Sequence, residues 1–184
     1  MSEEEIVLYN GRPVNAAGRT EKEMKVYDLL DELGVQYLRA DHEELDTMEK
    51  CDKVDRAFQA AVVKNLFLCN RQKTKFYLLM MPGDKKFLTK ELSEQISSAR
   101  LSFADATAME GFLNIKPGSV SVLGLMNDTD NRVQLLIDSD ILDSEYFGCH
   151  PCVNTSSLKI RITDLMKKIL PAVHHEPVIV HLQN

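Results

Sequence analysis

Lys64 is a cation in apolar surroundings. It lies in the run Val62-Val63-Lys64-Asn65-Leu66-Phe67-Leu68-Cys69. The shortness of that run and its β-branched and aromatic residues predict a buried strand. Side chains alternate along a strand, so Lys64 shares a face with Val62, Leu66 and Leu68. An ammonium is costly to bury unless something negative meets it. Either an internal carboxylate or an anionic ligand must serve. A second group of reactive side chains is Cys149-His150-Pro151-Cys152. A thiol oxidoreductase places the first cysteine of such a pair at a helix N-terminus, which lowers its pKa. The residues that follow, Val153 to Ile160, instead predict a turn and a strand. Zinc needs four ligands; no second C-x-x-C is present, and His174-His175 lacks a matching spacing. Two cysteines packed in a loop is the expected reading. Phosphate-loop, dinucleotide, His-Glu-x-x-His and Gly-x-Ser-x-Gly signatures are absent.

The elements around these residues alternate between helix and strand. Residues 1–18 are read as an N-terminal extension, with a turn at Asn10-Gly11-Arg12-Pro13. Thr20 and Glu23 form a capping box for a helix striped by Met24, Tyr27, Leu30 and Leu33 and ended by Gly34. Val35 to Ala40 predicts a strand. Met48, Cys51, Val54 and Phe58 give residues 43–60 helical spacing. The Lys64 strand and Phe76–Met81 form a hairpin closed by Pro82-Gly83-Asp84. Helices are predicted from Thr89 to about Ser97, from Phe103 to Phe112, from Asp140 to Tyr146 and from Thr163 to Leu170. Strands are predicted at Val133–Asp138, Ser157–Ile162 and Pro177–Leu182. Ser119–Leu125 reads equally as a short strand or a glycine-bounded loop, and Gly148–Asn154 as a loop. The pattern predicts an α+β fold, a single domain over residues 19–184 with a mixed, mostly antiparallel central sheet surrounded by helices.

Composition narrows the function. The 184 residues, 44% of them apolar, suffice for one domain with a real core. A net charge of −6 argues against coating DNA or RNA by bulk attraction, while leaving room for one nucleic-acid end held by a local basic patch. Lys50, Lys53, Arg56, Arg71, Lys73, Lys75, Lys85 and Lys86 are candidates for such a rim, although ordinary solvated charge explains most of them. No apolar stretch reaches the ~20 residues of a membrane span, and the acidic start lacks a signal-peptide pattern. A cytoplasmic protein with reduced cysteines is expected.

Three segments then join into one pattern: Lys64-Asn65-Leu66-Phe67-Leu68, the loop Pro117-Gly118-Ser119-Val120-Ser121-Val122-Leu123-Gly124-Leu125-Met126-Asn127-Asp128, and Gly148 to Ser157. With Arg100-Leu101-Ser102-Phe103, Asp41-His42 and the closing Glu176-Pro177-Val178-Ile179-Val180, they resemble the YbaK/prolyl-tRNA-synthetase-associated editing domain family from about Glu21 to Leu182. The family often has Thr where Val63 stands, prolines where Glu43 and Glu44 stand, and a Pro-Phe or Ala-Phe pair where Val122-Leu123 stands. The resemblance implies a YbaK-like fold. It also implies trans-editing, the hydrolysis of the ester of mischarged proline tRNA, alanyl-tRNA first, with the substrate's ribose 2′-hydroxyl helping to activate water. It further implies a partner, the tRNA acceptor end, with no membrane or DNA, no metal or organic cofactor, and an association with prolyl-tRNA synthetase or translation factors.

By the same resemblance Lys64 and His150 are the catalytic candidates. Asn65, Gly118, Ser119, Ser121, Gly124, Gly148 and Asn154 are the substrate-binding ones. Each has a plainer reading. Lys64 can be a structural ion pair, Asn65 an amide bonded to backbone, His150 a ring that only shapes its loop. Ser119 and Ser121 can be loop hydrogen bonders, the glycines turn formers, Asn154 a turn residue and His42 a satisfied core histidine. Rival functions are a deacylase for cysteinyl- or seryl-tRNA, a tRNA-binding module without turnover, and a thiol redox protein using Cys149 and Cys152.

Overall fold

In the computed structural model, which describes residues 5–183, the strands divide between two sheets. The first is four-stranded and antiparallel, in the order β1 (Leu8–Asn10), β2 (Tyr37–Asp41), β8 (Ser156–Arg161), β7 (Tyr146–Cys149). The second is five-stranded and mixed, in the order β5 (Leu101–Phe103), β3 (Val63–Asn70), β4 (Phe76–Pro82), β6 (Val133–Asp138), β9 (Val178–Val180). β3 and β4 form the expected antiparallel hairpin, with Lys64 opposite Met81. β4 pairs in parallel with β6, and β6 with β9. β4 is buried from Phe76 to Met81, as an unbroken apolar run in a sheet covered on both faces should be.

One core lies between the sheets. Phe67, Cys69, Leu78, Met80 and Ile137 of the second sheet meet Tyr37, Phe147, Leu158 and Ile160 of the first. Helix α1 (Glu21–Glu32) adds Val26, Tyr27 and Leu30. The outer face of the second sheet is covered by helix α3 (Thr89–Gln95) through Leu92, packed with Leu68, Leu79 and Met81. Helix α2 (Met48–Phe58) sets Val54 and Phe58 against Ala40 on the outer face of the first. Period-two alternation in β3 therefore sends Phe67 and Cys69 into one core and Leu66 and Leu68 into the other.

Several elements differ from expectation. Leu8–Asn10, inside the segment read as an extension, pairs with Leu38–Ala40. Val62 is 50% exposed and β3 starts at Val63, so the face that carries Lys64 is open at its first turn. Leu101–Phe103 is a strand on β3, and helix α4 starts only at Ala106, capped by Asp105, whose carboxylate accepts from the Ala108 amide at 2.8 Å. Ser119–Leu125 yields neither alternative: a 3₁₀ helix covers Val122–Asn127. Helix α5 is confined to Ser139–Leu142, and Tyr146–Cys149 becomes strand β7 because the β8 edge offers its backbone partners. Half of the Thr20–Glu23 box forms. Thr20 accepts from the Glu23 amide at 3.3 Å, while the Glu23 carboxylate is taken by Arg19 at 2.8 Å and Tyr27 at 2.6 Å. Gly124 is packed into the core: a Cβ there would come within 3.2 Å of the Leu113 Cβ and 3.3 Å of the Leu113 carbonyl oxygen. Overpacking of this kind costs ~1–3 kcal/mol. Gly124→Ala is therefore expected to lower unfolding free energy by about that amount in urea titration, with the unfolding slope unchanged.

Candidate active site

Two backbone links bring the sheets together where Lys64 lies. The Ala61 amide donates to the Tyr146 carbonyl at 3.1 Å, and Ala61 forms a parallel bridge with Phe147. The start of β3 thus runs beside the end of β7. α2 closes the third side. The result is a cavity of about 220 Å³ whose walls include Lys64, Asn65, Gly148, Cys149 and His150. Drug-sized ligands occupy ~300–1,000 Å³, so this space suits a small group at the end of a larger molecule.

The Lys64 ammonium pairs with no acid among the described residues. It donates to the Lys85 carbonyl oxygen at 2.6 Å. That carbonyl is held in place by the side chain of its own residue. The Lys85 ammonium is buried between Asp138 at 2.9 Å, Asp140 at 2.8 Å and the Leu182 carbonyl at 2.7 Å. Lys85 is accordingly no rim cation, because both carboxylates and the carboxy-terminal segment enclose it. Lys64 satisfies one ammonium proton on a neutral dipole and keeps its charge and its remaining donors for a ligand.

His150 is placed by β8. Its Nδ1 lies 3.0 Å from the Ser156 carbonyl, so Nδ1 carries the proton and Nε2 the lone pair. The Ser157 hydroxyl bridges this ring, at 3.4 Å, to His42 Nε2, at 2.8 Å. His42 Nδ1 donates in turn to the Glu43 carbonyl at 2.7 Å. Burial pushes both imidazoles below their ordinary value of 6.5; His42 also works against protonation of His150. Beneath them Arg19 grips Asp41 through two bonds of 2.9 Å, and Ser156 donates to Asp41 at 2.7 Å. Burial alone would raise the Asp41 carboxyl, but the bonds from Arg19 and Ser156 and the charge of Arg39 hold it at about 2.

Of the candidates read from the sequence, Lys64, Asn65, Gly148 and His150 meet at the cavity, while Gly118, Ser119, Ser121, Gly124 and Asn154 do not line it. Gly118 has a left-handed φ of 89° and faces the Asn154 amide. Ser119 closes a turn on Lys116, and Ser121 is fully buried, accepting from the Leu123 amide at 3.2 Å to cap the 3₁₀ helix. Burial raises the Cys149 thiol well above its normal range and the Cys152 thiol to about 12. Neither therefore has the thiolate character that redox exchange requires. No group of three or more His, Cys, Asp or Glu side chains suited to a metal gathers among the described residues. The sequence reading gave α2 its stripe but no place in the site: Met48, Cys51, Val54 and Phe58 of that stripe line the cavity, together with Asp52 and Asp55. The two acids lay beside the stripe and were masked by ordinary surface charge.

Two outcomes test this geometry. Removing one partner of a buried ion pair costs ~3–5 kcal/mol, so Asp138→Ala is expected to lower stability by about that much in denaturant titration and to loosen Lys64 with it. The histidines give a pH dependence. Above pH 6.5 both folded and unfolded chains hold them neutral. As pH falls through 6.5 the unfolded chain takes up these protons first, so stability declines until the folded rings protonate too. NMR titration is expected to show both rings with midpoints below 6.5; a higher midpoint for His150 would contradict its desolvation.

The sequence profile of the aminoacyl-tRNA editing domain matches residues 42–168. The prolyl-tRNA editing protein ProX of Acetoanaerobium sticklandii is 31% identical over 138 residues, 75% of this chain and 84% of that protein. Prolyl-tRNA synthetase associated domain-containing protein 1 of Xenopus laevis is 28% identical over 169 residues, 90% of this chain and 98% of the relative. A crystal structure of a proposed trans-editing enzyme for prolyl-tRNA synthetase shares the fold, with a TM-score of 0.63 at 12% identity over 89% of this chain and 99% of that one. On its profile match and its relatives, the chain belongs to the aminoacyl-tRNA editing domain family.

Proposed function

We propose that this protein is a trans-editing deacylase that hydrolyses the ester of mischarged proline tRNA, with alanyl-tRNA as the preferred substrate. The observation that carries this reading is the Lys64 ammonium, without an acidic partner among the described residues, beside His150 in one small cavity. The names of the relatives support the choice of proline tRNA. A domain spanning residues 19–184 does this work, with residues 1–18 an extension that adds β1 to the first sheet. No helix among the described residues is long and apolar enough to cross a membrane, which accords with a cytoplasmic site of action. Association with prolyl-tRNA synthetase or translation factors would deliver the substrate.

The chemistry asks for little. An aminoacyl ester is already activated, so placement, a polarised carbonyl and a positioned water suffice. The free donors of Lys64 meet the negative charge of the 3′-terminal nucleotide or the ester oxygen. His150 Nε2, aligned by the Ser156 carbonyl, accepts a hydrogen bond from water or from the ribose 2′-hydroxyl. As a ring held neutral by burial, it serves that role from slightly acidic pH upward. Gly148 opens the floor of the cavity; Asn65 contacts the ligand beside Lys64. Gly118, Ser119, Ser121, Gly124 and Asn154 act at most by shaping the loops behind it. Discrimination is steric, since a small cavity refuses a larger proline by overlap. Refusing a smaller side chain by binding alone yields only ~1–3 kcal/mol per methylene, which is why a separate hydrolytic sieve is useful.

Release of free amino acid from proline tRNA charged with alanine, cysteine, serine or proline tests the proposal. Alanine should be released fastest and proline retained. Lys64→Ala should lower kcat/KM for the alanyl ester by about 10²-fold, the loss typical of one electrostatic donor at an ester. Alanyl-tRNA that survives the wild-type protein unchanged would refute the assignment. Faster release of cysteine or serine would move it to the neighbouring substrates.

A further inference from the structure

Acceptors at the cavity are left unmet. Asn65 Oδ1 is wholly buried and has no partner among the described residues. His150 Nε2 has none among the described residues, its ring being held from Nδ1. Asp55 also lines the cavity, and its carboxylate makes neither an ion pair nor a hydrogen bond among the described residues. The cation on these walls, Lys64, donates to Lys85.

Its place in the helix disfavours a carboxylate at position 55. It sits in the last turn of α2, the negative end of the helix. Partial burial raises the Asp55 carboxyl, and the like charge of Asp52, one turn back, raises it further. A surface acid would turn to solvent or to a lysine. Asp55 instead places Oδ1 about 3.9 Å from where a Gly148 side chain would begin, against the floor of the cavity. A partly buried acid with no partner among the described residues, on the wall of a cavity where His150 Nε2 is also unmet, calls for a ligand that brings a cation with several donors.

We propose that Asp55 binds the α-ammonium of the aminoacyl group, so that the site accepts only esters bearing a free primary amine. The inference deepens the deacylase reading above and rests on it. Lys64 and Asp55 then engage opposite charges of one substrate end, the nucleotide or ester oxygens on one side and the amine on the other. That fixes which way the small acyl group enters. It also gives the enzyme a safeguard, because N-acylated ends such as peptidyl-tRNA carry no ammonium and are refused.

The test is a binding comparison that does not require turnover. Two non-hydrolysable amides, 3′-deoxy-3′-(L-alanylamino)adenosine and its L-lactylamino counterpart, differ only in an ammonium replaced by a hydroxyl. By calorimetry or NMR titration the wild-type protein should bind the alanyl compound about tenfold to a hundredfold more tightly, the value of one hydrogen bond to a charged group. Asp55→Asn should abolish that preference while keeping the lactyl affinity and the thermal stability of the wild type. Equal wild-type affinities, no binding of either compound, or a preference that survives Asp55→Asn would overturn the proposal. Hydrolysis of alanyl-tRNA by the wild type is scored separately. Amine-selective binding without hydrolysis would remove the deacylase reading and leave Asp55 in place; hydrolysis without amine selectivity would do the reverse.

Discussion

The site depends on an ammonium being held without being neutralised. Had Lys64 met a carboxylate, its charge would have been spent inside the protein. A carbonyl at 2.6 Å fixes the side chain and leaves the charge outward. Asp138 and Asp140 are occupied by the second lysine, Lys85, which is buried against Asp138 and also ties down the Leu182 carbonyl. The two lysines divide the work, Lys85 being paired in the core and Lys64 available at the surface of the cavity. Because one residue supplies both the buried cation and the carbonyl, the clamp and the orienting group cannot move apart.

The opposite wall is built by a different economy. What the fold supplies here is orientation. Ser156 links three things at once: its hydroxyl bonds Asp41, its carbonyl fixes His150, and its strand pairs with β2. Arg19 and Asp41 make that anchor rigid. His42 and Ser157 then complete a chain in which the His150 Nδ1–H is shared between the Ser156 carbonyl and the Ser157 hydroxyl, leaving Nε2 of His150 as the open end. A polar network this connected is stable only when fully satisfied, and here the members left unmet are those that face the cavity.

Lys64 was legible because it violates a local rule: a lysine in an apolar strand is costly without a purpose. His150 was legible only through the family resemblance, and both reach the cavity. The hairpin, the amphipathic α1 and the stripe of α2 were legible because burial imposes a period on the sequence. The loop Gly118 to Gly124 misled for the converse reason. Its glycines and serines suit a ligand loop and a tight 3₁₀ turn equally, and Gly124 is small because Leu113 and Ile115 press on it. Asp55 was invisible, since an acid on a charged helix looks like solvent-facing charge until the neighbouring walls are known.

Sequence alone determined the α+β class, the main helices and hairpin, and the identity of the residues too expensive to bury idly. These follow from periodicity and desolvation, which act within a few residues. Only the tertiary structure decided that the strands form two sheets, that Lys85 is an interior cation, and that Lys64, Asp55 and His150 share one cavity. Those outcomes depend on pairings such as Ala61 with Phe147 and Lys85 with Asp138. Their partners lie far apart along the chain, and the free energy of closing such distances is carried by the whole core rather than by any local pattern.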